Sequence, residues 1–187
     1  ETYARPGALP RVRPGSIGDD LARRDFTINA MALRLTPGGP GELVDPSGGQ
    51  RDLEEGLVRI LHGRSFVDDA TRMLRAVRYE QRFGFSLEAS TEELLLRDVS
   101  MLGTISGDRI RHELDLILKE ERPENALRRA GDLGLLACIH PALEADGHME
   151  SMFARARQVA PGAPPAIPLG GCFTVDPGRW EVCARSR

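Results

Sequence analysis

The chain has 187 residues, a formal net charge of −3 and 41% hydrophobic residues. This length suits one large domain or two small ones, and no apolar run is long enough for a membrane span. The three cysteines are odd in number and form no CxxC pair, which argues against a disulfide framework or a zinc site. The first residues lack the layout of a signal peptide, so we expect a cytoplasmic protein.

The basic residues are informative by their kind. Of the 25 lysines and arginines, only Lys119 is a lysine. A guanidinium offers a planar fork of donors that suits phosphates and base edges. Biased codon usage explains the same excess, so the positions of the arginines have to decide between the two interpretations.

Short strands and turns are predicted in the first third of the chain. The signals are loosely alternating apolar residues, separated by Pro- and Gly-rich turns. In chain order we predict a loop up to Gly18, a helix from about Asp19 to Phe26, a strand over 28–35, a hairpin partner over 42–44, a helix over 50–56 and a strand over 57–61.

Helix follows helix in the rest of the chain up to about residue 160. The signals are apolar residues at helical spacing, Gly84 as a stop, a Ser90/Glu93 capping box, Ser106 as a cap and Pro123 in a first turn. We predict helices over 66–83, 90–100, 106–118, 123–133 and from 148 onward.

These elements predict an α+β chain with three parts. A strand-containing front covers residues 1–62, and a helical part covers 63–160. Residues 161–187 begin with a Pro- and Gly-rich, linker-like stretch and show no clear period, so this tail has no assignment.

The segment RRDFTINAMA places Arg23, Arg24 and Asp25 at the entrance to a predicted strand. An arginine can bind a phosphate, and a carboxylate can accept a hydrogen bond from a sugar hydroxyl. Asn29 can hydrogen-bond locally and fix the turn. A surface salt bridge at a helix end explains the same residues without any ligand.

The segment DPSGGQRDL contains the adjacent glycines Gly48 and Gly49. Paired glycines give a backbone joint without side-chain clashes, which fits a hinge between the front and the helical part. An ordinary turn followed by a helix start fits equally well.

Four charged residues, Asp69, Arg72, Arg75 and Arg78, lie three apart in one predicted helix. Neighbours at this spacing can meet on one side of the helix. A carboxylate beside a guanidinium can read a nucleobase as a complementary base would, while the later arginines hold ring faces or phosphates. The alternative is a solvated helix face with ordinary salt bridges. For Arg109 and Arg111, farther along, we expect a structural role.

Taken together, RRDFTINAMA, DPSGGQRDL, DDATRMLRAVR with RFGF, and ISGDRIRHEL resemble motifs B to E of a known enzyme family. The family comprises the class II CCA-adding tRNA nucleotidyltransferases and related bacterial poly(A) polymerases. The resemblance covers about residues 1–143. It implies the remnant of a nucleotidyltransferase-type mixed sheet, the C-terminal part of the head, followed by an all-helical neck.

The resemblance also implies residue roles. Arg24 and Asp25 would contact the phosphate and ribose of the incoming nucleotide, and Gly48 and Gly49 would form the head–neck hinge. Asp69 and Arg72 would read the base, with Arg75 and Arg78 completing the nucleotide pocket. The sequence departs from the family pattern at Asp68 and at Asp108, where glutamate is usual.

One departure concerns the chemistry itself. The family needs a Gly-rich nucleotide loop and a DxD carboxylate pair, both upstream of motif B. In the complete enzyme the two carboxylates hold Mg²⁺. Nothing before Asp19 supplies them. We therefore expect no catalytic residue, no metal ligand and no nucleotide addition by these 187 residues alone. The implied partners are ATP, CTP and the 3′ end of tRNA or another RNA, with no membrane.

Three alternatives stay open from the sequence. The motifs are shared by CCA-adding enzymes and by poly(A)- or A-only-adding enzymes. A non-catalytic RNA- or nucleotide-binding module would keep the pocket without the chemistry. A helical scaffold whose arginines are merely solvated would bind no nucleotide.

Overall fold

The computed structural model describes residues 15–37, 39–143, 145–159, 173–176 and 179–182. Nine helices in this part of the chain are α1 (Ile17–Ala22), α2 (Gly49–Glu55), α3 (Ser65–Asp68), α4 (Thr71–Phe83), α5 (Ala89–Asp98), α6 (Gly107–Leu118), α7 (Pro123–Asp132), α8 (Leu135–Ile139) and α9 (Gly147–Val159). Two 3-10 turns cover Thr27–Asn29 and Val99–Thr104. None of the described helices is both long and apolar enough to cross a membrane.

Six short strands pair two by two. They are β1 (Ala32–Thr36), β2 (Gly39–Val44), β3 (Leu57–Val58), β4 (Ser86–Leu87), β5 (Phe173–Asp176) and β6 (Arg179–Val182). The β1–β2 and β5–β6 pairs are antiparallel, whereas β3 and β4 are parallel. The predicted α+β class and the predicted hairpin are therefore confirmed. Strands β5 and β6 lie in the tail that had no assignment, and the rest of that tail is outside the described residues.

The first strand begins later than predicted. Residues 27–29 form a 3-10 turn instead, and the backbone N–H groups of Thr27 and Ala30 bond to carbonyls outside the β1–β2 pair. Thr27 donates to the Arg59 carbonyl at 2.9 Å, and Ala30 donates to the Thr27 carbonyl at 2.9 Å. The buried residue Phe26 also forms an isolated antiparallel bridge with Ile60. These bonds fix the residues that follow Asp25 against the β3 segment.

One hydrophobic core joins the front of the chain to its helices. Phe26, Val58 and Ile60 belong to the same buried cluster as Phe66 of α3 and Leu74 of α4. The cluster continues through α5, α6, α7 and α8. Side chains from both sides of the predicted boundary at residue 62 thus share one core, and the division at that residue stays a prediction.

The long helix predicted over 66–83 is interrupted at Asp69, so that prediction was wrong in this detail. Asp69 has an extended backbone, with φ −146° and ψ 98°. Its Oδ1 accepts hydrogen bonds from the Thr71 backbone N–H at 3.1 Å and the Thr71 hydroxyl at 2.7 Å. Short polar side chains compete in this way with the backbone bonds of a helix. Gly84 ends α4 in the left-handed region, at φ 66°, as the sequence predicted.

Gly48 and Gly49 have separate structural roles. Gly48 is left-handed, with φ 72°. Gly49 packs so tightly on the 3-10 turn that an added Cβ would lie 2.2 Å from the Thr27 carbonyl oxygen. Asp45 accepts from the backbone N–H groups of Gly49 at 2.8 Å and Gln50 at 2.9 Å, which satisfies the start of α2. The hinge role predicted for the two glycines stays a prediction.

Helix α5 begins at a glutamate cap, and the predicted Ser90/Glu93 capping box is not formed. The Glu88 carboxylate accepts from the Ser90 hydroxyl at 2.7 Å and the Thr91 N–H at 3.0 Å. Burial raises the pKa of Glu88, but these hydrogen bonds outweigh it and lower the pKa from 4.5 to about 2. The carboxylate therefore stabilises the fold above pH 4.5, and this contribution disappears as the pH falls toward 2.

A Glu88→Gln substitution tests this cap. We expect it to lower the free energy of unfolding at pH 7 by about 1 kcal/mol, the usual size of an N-cap contribution. The difference from the unmodified protein should shrink as the pH falls from 4.5 toward 2, because the carboxylate is protonated first in the unfolded chain and, near pH 2, in the folded protein as well. Urea unfolding at pH 7 and at about pH 3 measures it, with the exposed Glu93→Gln as the matched control. A difference that does not change with pH would contradict the role of the charge.

Candidate functional site

A cleft of about 820 Å³ opens between the front of the chain and the helices. Four segments line it: the end of α1 with the 3-10 turn, the α3–α4 junction, α4 and α6. The lining residues are Arg23, Arg24, Asp25, Asn29, Asp69, Thr71, Arg72, Arg75, Tyr79, Asp108, Arg109, His112 and Glu113. Five of the six residues predicted to bind a nucleotide are among them, and the structure does not place Arg78 on this cleft.

Asp25 and Arg75 form the best-defined pair in the cleft. The Arg75 Nε and Nη2 donate to Asp25 Oδ2 at 2.9 and 2.5 Å. Oδ1 accepts from the Phe26 backbone N–H at 2.9 Å and from Asn29 Nδ2 at 3.0 Å. Burial raises the pKa of Asp25, but the charge of Arg75 and these donors outweigh burial, so the pKa lies below its ordinary value. Asp25 is therefore a buried carboxylate that stays ionised.

Asp69 and Arg72 line the same cleft from the α3–α4 junction. Asp69 Oδ2 accepts from Arg109 at 2.7 Å, while Oδ1 caps Thr71. The buried guanidinium of Arg72 donates to the Ser65 hydroxyl at 2.7 Å and to the Arg23 carbonyl at 3.1 Å. Each side chain keeps further hydrogen-bonding capacity, because a carboxylate has about four acceptor positions and a guanidinium more than two donors. The pair can thus offer both an acceptor and a donor to a ligand in the cleft.

Arg24 lies at the rim of the cleft. Its side chain is 49% exposed and donates to Asp20 Oδ2 at 2.7 Å. Arg23 contacts the other oxygen of the same carboxylate. Hydrogen bonds from both arginines lower the pKa of Asp20. An exposed guanidinium paired to a surface carboxylate can exchange that partner for a ligand anion at little cost.

Arg78 lies behind the cleft and supports one of its walls. Its guanidinium carbon is 4.8 Å from the centre of the Tyr79 ring. Its nitrogens pair with Glu120 at 3.4 Å and Glu113 at 3.9 Å, and its side chain is only 7% exposed. It lines a second, smaller cleft of about 440 Å³ between α4 and the start of α7. Any effect of Arg78 on a ligand in the main cleft therefore passes through Tyr79 or Glu113.

Sequence reasoning missed the contribution of α6 and of Tyr79. Asp108, Arg109, His112 and Glu113 all line the cleft, and Arg109 forms an ion pair with Asp69, a contact that agrees with the structural role expected for this arginine. Their spacing carried the signal, because residues one and four apart form one polar helix face opposite the apolar stripe. Tyr79 gave no such signal, since an aromatic ring at helical spacing is usually part of the core.

No metal site is formed by the part of the chain that the structure describes. In it, no three His, Cys, Asp or Glu side chains form a group that could hold an ion. Asp25 and Asp69, the two predicted carboxylates, are engaged by Arg75 and Arg109 respectively. The described residues do not fit a Mg²⁺ ion, and no chemical step can be assigned to one here.

Two family models match the chain. The model described as the poly A polymerase head domain matches residues 2–59. A second, described as the probable RNA and SrmB-binding site of polymerase A, matches residues 84–146. The two matches flank the α3–α4 junction that carries Asp69 and Arg72.

Curated relatives include tRNA nucleotidyltransferases of different product specificity. The A-adding enzyme of Geobacter sulfurreducens is 49% identical over 145 residues, which are 76% of this chain and 16% of that protein. The CC-adding enzyme of Deinococcus radiodurans is 45% identical over 130 residues, 68% of this chain and 34% of that protein. The chain thus spans about a sixth to a third of the length of these relatives.

Similar solved structures carry the same fold. An apo CCA-adding enzyme is 44% identical with a TM-score of 0.80, covering 85% of this chain and 39% of that one. A CCA-adding enzyme in complex with ATP is 44% identical with a TM-score of 0.71, covering 78% of this chain and 35% of that one. A complex with CTP is 45% identical with a TM-score of 0.71, covering 76% of this chain and 36% of that one. The Thermotoga maritima enzyme in complex with tRNA is 44% identical with a TM-score of 0.69, covering 78% of this chain and 36% of that one. This chain belongs to the family of tRNA nucleotidyltransferases and bacterial poly(A) polymerases.

Proposed function

We propose that this chain supplies the nucleotide-recognition pocket for template-independent addition of CMP or AMP to the 3′ ends of tRNA. The observation that carries the proposal is the cleft that brings Arg24, Asp25, Asp69, Arg72 and Arg75 together from separate segments. Its volume of about 820 Å³ suits a small-molecule ligand. Similar structures hold ATP, CTP or tRNA, which makes these the ligand classes to test.

Base recognition is proposed for Asp69 and Arg72. A carboxylate accepts hydrogen bonds from exocyclic amino groups, and a guanidinium donates to ring nitrogens and carbonyls. Arg109 holds Asp69 in place, and Ser65 holds Arg72. A donor and an acceptor fixed in this way favour bases with the complementary edge, because mismatched groups would stay unpaired.

Phosphate and sugar recognition is proposed for the opposite side of the cleft. Arg24 is exposed enough to bind a phosphate after leaving Asp20. Asp25 is more buried than Arg24, is proposed to accept from the ribose, and holds Arg75 in the cleft. Arg78 takes part indirectly, by supporting the ring of Tyr79.

Addition of A alone is the second candidate. A-adding relatives match this chain at 47–49% identity, CC-adding relatives at 42–45% and CCA-adding enzymes at 36–45%. The proposed reaction uses Mg²⁺, which the described residues do not bind.

Replacing the matching segment of the Halalkalibacterium halodurans A-adding enzyme by this chain's residues gives a protein that can be assayed. Sequencing its products with both ATP and CTP supplied distinguishes A-only from CMP-and-AMP addition.

Direct nucleotide binding tests the pocket itself. We expect the chain to bind a fluorescent ATP analogue, and we expect Arg75→Ala to weaken binding at least tenfold, because a charged donor and the partner of Asp25 are both lost. The matched control is Arg51→Ala, which removes an arginine that is 77% exposed on α2. Absence of binding by the unmodified chain would refute the pocket and favour a helical scaffold. Binding without nucleotide addition by the chimera would favour a non-catalytic module.

A further inference from the structure

We infer that the second cleft, between α4 and the start of α7, is a phosphate-binding site. It is separate from the proposed nucleotide pocket and has a volume of about 440 Å³. Two sources can supply such a group: the backbone of an RNA, which is the partner in the proposed function, and a free phosphate or pyrophosphate ion. The assignment concerns the phosphate chemistry that both sources share.

The lining of this cleft carries an excess of positive charge. It contains four cations, Arg78, Arg82, Lys119 and Arg122, against two carboxylates. The whole sequence has the opposite sign, with a formal net charge of −3. The other lining residues are two amides and an alanine, without an aromatic ring. Such a surface attracts an anion and offers a nucleobase no ring to stack on.

Two of these cations are not engaged by carboxylates of the described residues. Lys119 and Arg122 are exposed, and neither forms a salt bridge or a side-chain hydrogen bond within the described part of the chain. The exposed carboxylate of Glu121 offsets one of these two charges. An ammonium acts on a phosphate as a point charge, whereas a guanidinium can bind two of its oxygens. A phosphate can therefore bind both groups without breaking an ion pair.

Arg78 adds a buried charge to the same cleft. Its side chain is only 7% exposed, and its Nε has no hydrogen-bond partner among the described residues. Its contacts with Glu120 at 3.4 Å and Glu113 at 3.9 Å are longer than ordinary charged hydrogen bonds. A buried charge that is incompletely paired acts strongly on a nearby anion, because little water screens it.

The first turn of helix α7 lies at this cleft. The helix begins at Pro123, its N-cap residue Arg122 forms no side-chain cap hydrogen bond, and Asn125 and Ala126 line the cleft. The N-terminal end of a helix carries a partial positive charge, which favours an anion. The helix therefore adds to the attraction that the cationic side chains provide.

Two probes distinguish the sources of the phosphate. One is a fluorescein-labelled RNA hairpin with a single-stranded 3′ end, titrated by anisotropy, and the other is inorganic pyrophosphate, titrated by calorimetry. The variant Lys119→Gln/Arg122→Gln removes two exposed charges from the cleft. The matched control Arg51→Gln/Arg64→Gln removes two charges from arginines that are each 77% exposed and lie outside both clefts.

We expect the Lys119→Gln/Arg122→Gln variant to bind its phosphate source at least tenfold more weakly than the control does. If the source is RNA, the slope of log affinity against log salt should also fall by about 1.4 to 1.8, since each phosphate contact contributes about 0.7 to 0.9. If the source is a free ion, pyrophosphate binding should be lost and RNA binding kept. Binding of the fluorescent ATP analogue should not change, because neither side chain lines the main cleft.

Three results would overturn the assignment. They are equal effects of the variant and the control on both probes, an unmodified chain that binds neither probe, and an equal loss of probe and ATP-analogue binding in the variant. The last result would mean that the two clefts are not separate sites. A chain that binds no ATP analogue but shows the expected loss of probe binding in the variant would refute the proposed function and keep the phosphate site.

Discussion

Replacing Gly49 by alanine is expected to destabilise the protein by about 2–3 kcal/mol, the upper part of the usual range for overpacking. The added Cβ would lie 2.2 Å from the Thr27 carbonyl oxygen and 2.8 Å from its carbon, both backbone atoms. Neither can yield without moving the turn that follows Asp25. The measurement is the free energy of unfolding from urea denaturation, read at equal protein concentration.

Gly48→Ala is the matched control for this prediction. Its φ of 72° makes alanine unfavourable by about 1 kcal/mol, but nothing lies within 4 Å of the added Cβ. The two neighbouring substitutions should therefore differ, with Gly49→Ala the more damaging. Equal destabilisation would mean that backbone conformation, rather than close packing, explains both glycines.

Arg72→Ala should remove recognition of the base while leaving recognition of the phosphates nearly intact. The unmodified chain is expected to bind ATP more tightly than ribose 5-triphosphate, which has no base. Loss of a charged donor to a base costs about 1.5–3 kcal/mol, so the gain in affinity due to the base should fall at least tenfold. Titration of both ligands by fluorescence or calorimetry gives the two affinities.

Arg72 also has a structural contact that the experiment must separate from binding. Its guanidinium is buried and donates to the Ser65 hydroxyl. Ser65→Ala removes the same hydrogen bond and keeps the guanidinium, so it should retain most of the preference for ATP. If Arg72→Ala weakened the two ligands to the same extent, the base-reading role would be wrong.

Local signals predicted those parts of the fold that depend on single residues. Gly84 ends α4 and Pro123 begins α7, because their backbone preferences act without help from distant residues. The break at Asp69 was missed because a helical apolar spacing continues through it. The cap at Glu88 was missed because Ser90 and Glu93 offered a more familiar pattern. In both cases a carboxylate accepts hydrogen bonds from nearby N–H and hydroxyl groups, and residue spacing alone does not determine which carboxylate does so.

The sequence predicted which residues share a cleft better than it predicted how they contact one another. Motif order, rather than any single motif, brought Arg24, Asp25, Asp69 and Arg72 into one hypothesis, and all four line one cleft. The resemblance also implied a place in the pocket for Arg78, which does not line this cleft, so its role in binding stays a prediction. The contacts of Arg109 with Asp69 and of Asn29 with Asp25 join residues on different elements or turns, and they became visible only in three dimensions.

The shared use of Asp20 by Arg23 and Arg24 has a consequence for turnover. A triphosphate that bound Arg24 as proposed would have to displace the Asp20 carboxylate, so the loss of that ion pair would offset part of the attraction. If the proposed function holds, the reverse exchange would favour departure of an anionic product, since Asp20 can pair with the guanidinium again. Such weak retention at the entrance of the cleft would help the proposed addition to be repeated.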